Sequence, residues 1–262
     1  MQLRTRVGSL VIAALLVAAP ASAQMVHSVS GGLGVFFPRG FDSRVTGDIW
    51  VEDLFPSTPQ HPDLPFLGMA FEIGDFKAAN VFGEWAVSFG NHFEIGAGLS
   101  YYSQTVHSLY LDVENECQPM ATTPPCNQLP PGTRVEIPQD LRLRMLPITG
   151  VVRVLASRPG SIQPYIGGGI SAINFNYSEI GDFVDPSDGL VFHETYRKSG
   201  TALGGVFLLG VRIPVGGDIY GITTEYRYQW GAGDLTGVDP AFPAPKIDLG
   251  GGYLNFGFLV RF

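Results

Sequence analysis

The stretch Ile247-Asp-Leu-Gly-Gly-Gly-Tyr-Leu-Asn-Phe-Gly-Phe-Leu-Val-Arg-Phe262 decides the fold. Within it Gly252, Leu254, Phe256, Phe258, Val260 and Phe262 share one parity, and Tyr253, Asn255, Gly257, Leu259 and Arg261 share the other. Successive side chains of a β-strand point to opposite faces, so the segment carries one apolar face ending on an aromatic and one mixed face. Such a strand suits a sheet with lipid on one side and a polar lumen on the other.

The opposite end of the chain agrees. Arg4 and Arg6 precede the apolar run Val7 to Ala19, and Pro20-Ala-Ser-Ala23 supplies an Ala-x-Ala cleavage site before Gln24. This is the pattern of a secretory signal peptide over residues 1–23, leaving residues 24–262 as one barrel domain. No later window approaches the roughly 20 apolar residues of a spanning helix. An exported chain rich in glycine and aromatics can then cross a bilayer as a closed sheet, in which every backbone polar group is paired. The competing reading is a soluble β-sandwich, with the aromatics in its core and the charges in water.

The chain carries 16 basic and 24 acidic side chains, a formal charge of −8. Loss of Arg4 and Arg6 with the leader makes it about −10 by the same counting, which excludes nucleic acid as a partner. Cys117 and Cys126 lie in a Pro-rich segment, and in an exported chain they are expected to form a disulfide closing a short loop. Neither a His nor a second Cys pair stands near them at zinc-ligand spacing.

Eight alternating segments follow from the period: Met25 to Phe37, Asn80 to Phe89, His92 to Val106, Leu141 to Ala156, Pro164 to Tyr177, Thr201 to Val215, Ile219 to Trp230 and Ile247 to Phe262. The links alternate. Gly90-Asn91, Ser157 to Gln163 and Gly216-Gly-Asp218 are short and carry turn chemistry, whereas residues 38–79, 107–140, 178–200 and 231–246 are long. This predicts an all-β, eight-stranded, antiparallel up-and-down transmembrane β-barrel with short periplasmic turns and long extracellular loops.

The faces separate in chemistry. Tyr220, Ile222, Thr224, Tyr226, Tyr228 and Trp230 are assigned outward, with Thr223, Glu225, Arg227 and Gln229 inward. By the same rule Glu84 and Glu94 point in, opposite Trp85, Phe93 and Ile95, and Arg212 points in, opposite Phe207, Leu209 and Ile213. Ile173, Phe175 and Tyr177 are assigned to lipid, against Asn174 and Asn176. In the fourth segment the apolar parity changes near Pro147, and a bulge there would put Arg142, Arg144 and Arg153 all inside. Glu94 and Arg153 each lie a few residues from a short turn on neighbouring strands, so they are the leading candidate ion pair. Glu84, Glu225, Arg227, Arg212 and Arg261 extend it into a candidate lumen network.

The Gln163-Pro-Tyr-Ile-Gly-Gly-Gly169 stretch, Glu179-Ile-Gly-Asp-Phe-Val-Asp185, Glu225-Tyr-Arg-Tyr228 and the terminal Gly-Phe-Leu-Val-Arg-Phe262 resemble the small outer-membrane β-barrel proteins grouped with the OmpA-type transmembrane domain. The resemblance covers nearly all of the chain after residue 23. It implies a Gram-negative-type envelope with outer-membrane lipid and lipopolysaccharide as surroundings. It also implies insertion by the barrel assembly machinery, which would read Phe256, Phe258, Val260 and Phe262. The chain departs from OmpA proper in showing no peptidoglycan-binding segment after the barrel.

Some barrels of this size modify lipid A with a His, a Ser and an acid, and His107-Ser108 with Asp112 or Glu114 is the cluster to weigh here. Adjacent residues of a strand face opposite ways, which argues against it. Asp182, Asp185 and Asp188 recur every third residue, whereas a calcium hand uses every second, so no metal site is assigned. Loop one carries Phe36, Phe37, Phe41, Trp50, Phe55 and Phe66 amid prolines and is expected to fold over the barrel mouth or touch a partner. The reading is a non-enzymatic outer-membrane barrel with a structural or surface-interaction role, a filled lumen and no cofactor. A narrow solute channel is the alternative, and a lipid-modifying enzyme comes third.

Overall fold

A computed structural model describes residues 25–52, 71–110, 137–184, 191–237, 242 and 244–262. The leader 1–23, Cys117, Cys126, Asp112, Glu114, Phe55 and Phe66 lie outside the described residues. Among the described residues nine strand segments follow one another: β1 (Met25–Pro38), β2 (Ala78–Phe89), β3 (Phe93–Tyr110), β4 (Ile137–Leu155), β5 (Gln163–Val184), β6 (Val191–Pro214), β7 (Tyr220–Asp234), β8 (Lys246–Asp248) and β9 (Gly251–Arg261). A break at Leu249-Gly250 divides the last stave into β8 and β9, which pair with β7 in one continuous register. Each stave pairs antiparallel with the next, and β9 returns to β1, so eight staves close a ring.

The register measures the ring. Pairings followed from Ser28 through Ala86, Gly96, Val151, Gly169, Val206, Gln229 and Gly251 return to β1 at Pro38, ten residues further along. With ~3.3 Å per residue and ~4.8 Å between strands, that stagger over eight staves sets a tilt of about 41° and a backbone radius of about 8 Å. A ring so narrow is filled by its own side chains.

Outward positions are apolar through the membrane band: Val81, Trp85, Phe93, Ile95, Leu99, Val152, Ile166, Leu209, Ile222 and Phe256 are all exposed. The short turns rest on backbone only glycine adopts freely, with φ of +64° at Gly90 and +71° at Gly216. At the long-loop end β5 and β6 run on as a hairpin pairing to Val184 and Val191, so most of the expected third loop is strand.

Two face assignments are corrected. On β4 the alternation never breaks: Leu141, Leu143, Met145, Thr149, Val151, Arg153 and Leu155 all face in, and Arg142 and Arg144 face out. The ladder with β3 keeps one register on both sides of Pro147, so no bulge occurs. On β5 it is Ile173, Phe175 and Tyr177 that point in, at 0, 4 and 0 % exposure, while Asn174 and Asn176 point out. The reason is depth. The lower lumen is ionic, but the upper lumen is apolar, because loop one and the last loop fold into the mouth. There Phe36, Ile49, Trp50, Phe76, Tyr102, Leu143, Met145, Phe175, Tyr177, Phe242, Ile247 and Tyr253 form one buried cluster.

Candidate functional site in the lumen

Six charged side chains from five staves meet in the lower lumen. Glu84 comes from β2, Glu94 from β3, Arg153 from β4, Arg212 from β6, and Glu225 and Arg227 from β7, each at an inward position. Glu94 and Arg153 are cross-strand partners, with Arg153 Nη1 3.1 Å from Glu94 Oε1. Arg153 also reaches Glu84, Nη1 to Oε1 at 2.5 Å and Nη2 to Oε2 at 2.7 Å, and Glu225 Oε2 at 3.0 Å. One guanidinium thus donates to three carboxylates, using the planar fork that lysine lacks.

The remaining members complete the set. Arg212 grips Glu94 with both nitrogens, at 2.7 and 2.6 Å. Arg227 donates to Glu225 from Nε at 3.0 Å and from Nη2 at 2.8 Å, and reaches Glu84 at 3.0 Å. Three acids face three bases, so the group is formally neutral. Neutral neighbours take up further lone pairs: Ser88 donates to Glu94 at 3.0 Å, Tyr165 donates to Glu225 at 3.0 Å, and Thr149 accepts from Arg227 at 3.2 Å. The guanidiniums of Arg153 and Arg212 lie over the Tyr165 ring, 5.3 and 5.1 Å from its centroid. Space comes from glycine: a Cβ on Gly167 would sit 2.9 Å from Arg153 Cγ and 2.4 Å from the Val152 carbonyl.

Each contact at ~4 Å and an effective dielectric near 20 gains about 4 kcal/mol of gross attraction, and desolvation cancels much of it. The network is therefore worth little as net stability but leaves a large penalty if one member is lost. Arg261, assigned to the network from sequence, stands below it and donates to Gln163 Oε1 at 2.9 Å and to the Asp218 carbonyl at 3.2 Å. Thr149 and Tyr165 escaped the sequence reading, although each shares the inward parity of a charged residue on its own strand.

A second cluster lies above. Trp50, on the short helix α1 (Ile49–Glu52), stacks on Phe76 with ring centroids 4.0 Å apart, and the Arg44 guanidinium covers it at 4.4 Å. Asp48 accepts from Arg44 and from the Asp248 amide, while Asp248 accepts from Arg39 at 3.2 Å and the Val45 amide at 3.0 Å. Burial pushes the Asp48 carboxyl up from its ordinary range, with Arg44 opposing. The Arg44–Asp48 stretch of loop one is thereby pinned to β8.

The other candidates separate. His107 is exposed and bonds Asp140 at 2.5 Å, while Ser108 is buried on the opposite face, so the two form no relay. Phe256, Phe258, Val260 and Phe262 line the lipid side of the last stave, and the Phe262 ring stacks on His27 with centroids 5.9 Å apart.

Neither the protein-family models nor the curated proteins contain a match to this chain. Solved structures do match. The outer membrane protein OprG from Pseudomonas aeruginosa aligns over 92 % of this chain and 97 % of its own, at 12 % identity and a TM-score of 0.51. The N-terminal β-barrel domain of Pseudomonas aeruginosa OprF covers 90 % and 97 % at 10 % identity and 0.38, and Neisserial surface protein A covers 91 % and 96 % at 12 % identity and 0.37. The fold is that of the small outer-membrane β-barrels.

Proposed function

We propose that this outer-membrane barrel is closed to solutes and acts as a rigid envelope element that displays its loops and outer wall for interaction. The observation that carries this reading is the filled lumen. Among Ser30, Phe82, Glu84, Arg153, Tyr165, Arg212, Thr223, Glu225 and Arg227 the remaining void is about 10 Å³, room for one water at most. A hydrated ion moving through would have to part Arg153 from three carboxylates, and then cross an apolar cluster capped by Trp50. Both steps oppose passage, the first by uncovering buried charge and the second by offering an ion no polar partner.

The mouth contributes the other half of the reading. The Arg44–Asp48 pair and the contacts of Asp248 hold the Arg44–Trp50 part of loop one over the barrel. Loops displayed on a rigid scaffold are where binding function concentrates. Liposome swelling tests the proposal: proteoliposomes loaded with stachyose and diluted into isosmotic arabinose should swell no faster than protein-free vesicles. Swelling at the rate given by a general diffusion porin at equal protein density would overturn it in favour of a solute channel.

A further inference from the structure

The corrected faces of β4 move two arginines from the lumen to the outer wall. Arg142 and Arg144 point away from the barrel axis there, and Arg197 does so on β6. The ladder gathers them. Arg142 pairs with Ser178, which pairs with Arg197, and Arg144 pairs with Asn176, which pairs with Ser199. At ~4.8 Å between strands and ~6.6 Å between alternate residues, three guanidiniums rise from a patch about 10 Å across.

Their height is informative. Below Arg144 the outward residues of β4 are Leu146, Ile148, Gly150, Val152 and Val154, with no polar side chain among them. At the tilt of this barrel Arg144 stands about 25 Å above Val154, the height of the apolar band of outer-membrane barrels. Arg142 is about 5 Å higher and Arg197 higher again on the same scale. The cations begin where the hydrocarbon ends, and Leu146, Ile148, Ile170 and Leu203 form an apolar wall beneath them.

In a chain of net charge −8 the patch is unneutralised among the described residues. Among the described residues none of the three arginines makes an ion pair, and the carboxylate nearest in register, Asp140, is engaged by His107. Arg142 Nε and the Ser178 hydroxyl are buried without a hydrogen-bond partner. Ser103 and Thr105 of β3 stand opposite Arg144 and Arg142 and add neutral donors.

We infer that this face binds the phosphorylated headgroup of an outer-leaflet glycolipid. Guanidinium forks donate to phosphate oxygens in pairs, the hydroxyls and the Asn176 amide bond the remainder, and the acyl chains lie down the apolar wall. That wall is why the ligand is an amphiphile and not a free phosphate: charge and hydrocarbon must follow one another along a single molecule. The site does not depend on whether the lumen conducts.

Native mass spectrometry of the barrel in neutral detergent, titrated with bisphosphorylated lipid A, its dephosphorylated counterpart or inorganic phosphate, tests this. The wild type should bind the bisphosphorylated lipid about tenfold more tightly than the dephosphorylated one, and inorganic phosphate at equal concentration should not displace it. The triple variant Arg142→Gln, Arg144→Gln, Arg197→Gln should lose about tenfold in affinity with unchanged heat-modifiable gel mobility, and the control Arg158→Gln at the periplasmic turns should lose nothing. If the triple variant does not fold, the single exposed Arg144→Gln together with the two lipids on the wild type decides the matter. Equal affinity for both lipids, equal affinity of folded variant and wild type, or displacement by inorganic phosphate would each overturn the assignment.

Discussion

Arg153 and Glu94 stand opposite one another in the β3–β4 ladder, and the guanidinium that meets Glu94 at 3.1 Å also meets Glu84 and Glu225. Arg153 is 1 % exposed and sits where the carboxylates of three staves converge, so it is the member whose loss the network tolerates least. In Arg153→Ala, three buried acids would share Arg212 and Arg227. Destabilisation of roughly 3–5 kcal/mol is expected, read as a lower midpoint in urea unfolding of the barrel in lipid vesicles. Arg153→Lys should recover only part of it, because an ammonium cannot present a planar fork to several carboxylates. A wild-type midpoint for either variant would contradict the geometry.

Trp50 joins loop one to the apolar cluster of the mouth without belonging to the wall. Trp50→Ala removes the stack on Phe76 and leaves a cavity, a change that costs about 3–5 kcal/mol at a fully buried site. The loss should stay local. Limited proteolysis should cleave loop one faster, while the folded band on an unheated gel persists.

Glu179 rises on β5 above Asn174 and Asn176, clear of the membrane band, and accepts a hydrogen bond from Tyr177 at 2.8 Å. Burial pushes its carboxyl up from 4.5 to about 7. A folded value above the unfolded one means the fold favours the protonated acid. Its contribution, about 3 kcal/mol, is fully present below pH ~4.5 and is lost as the pH rises through ~7. Hydrogen exchange of the β5–β6 hairpin should therefore be slower at pH 5 than at pH 8, after correction for intrinsic rates. Glu179→Gln should remove the difference, and a difference of wild-type size in that variant would assign it to another group.

Phe262 forms the last rung beside β1, where His27 donates to its carbonyl at 3.1 Å and accepts from its amide at 2.9 Å, and the residue is 72 % exposed on the outer face. Deleting Phe262 removes that rung and the last aromatic of the proposed insertion signal. Insertion should slow several-fold in a pulse-chase, with the variant accumulating in the periplasm. Unchanged kinetics would remove Phe262 from the signal.

The barrel was legible in the sequence because period-two alternation with lipid outside leaves few alternatives, and Tyr220 to Trp230 displays it without a break. Glu94 and Arg153 were legible because short turns fix the depth of residues close to them. Phe175 and Arg144 were not, since the rule that apolar residues face lipid holds only within the membrane band. Above it, residues from loop one and the last loop supply apolar partners inside, and water outside accepts arginine. Counting height from the turns would have shown it, because Phe175 is twelve residues above Gln163, about 40 Å along the tilted strand and so about 30 Å in height along the barrel axis. The clamp of Asp48 on β8 joins residues 200 positions apart, a relation no local pattern carries.

Planar-bilayer recording tests the proposed closure of the lumen most directly. The wild-type barrel should show no steady open level in 1 M KCl, and Arg153→Ala should show brief openings only, since the apolar cluster around Trp50 remains above the breach. Steady wild-type conductance at the level of an open diffusion pore would contradict the proposed closed lumen, in which Arg153 holds Glu84, Glu94 and Glu225 across the path.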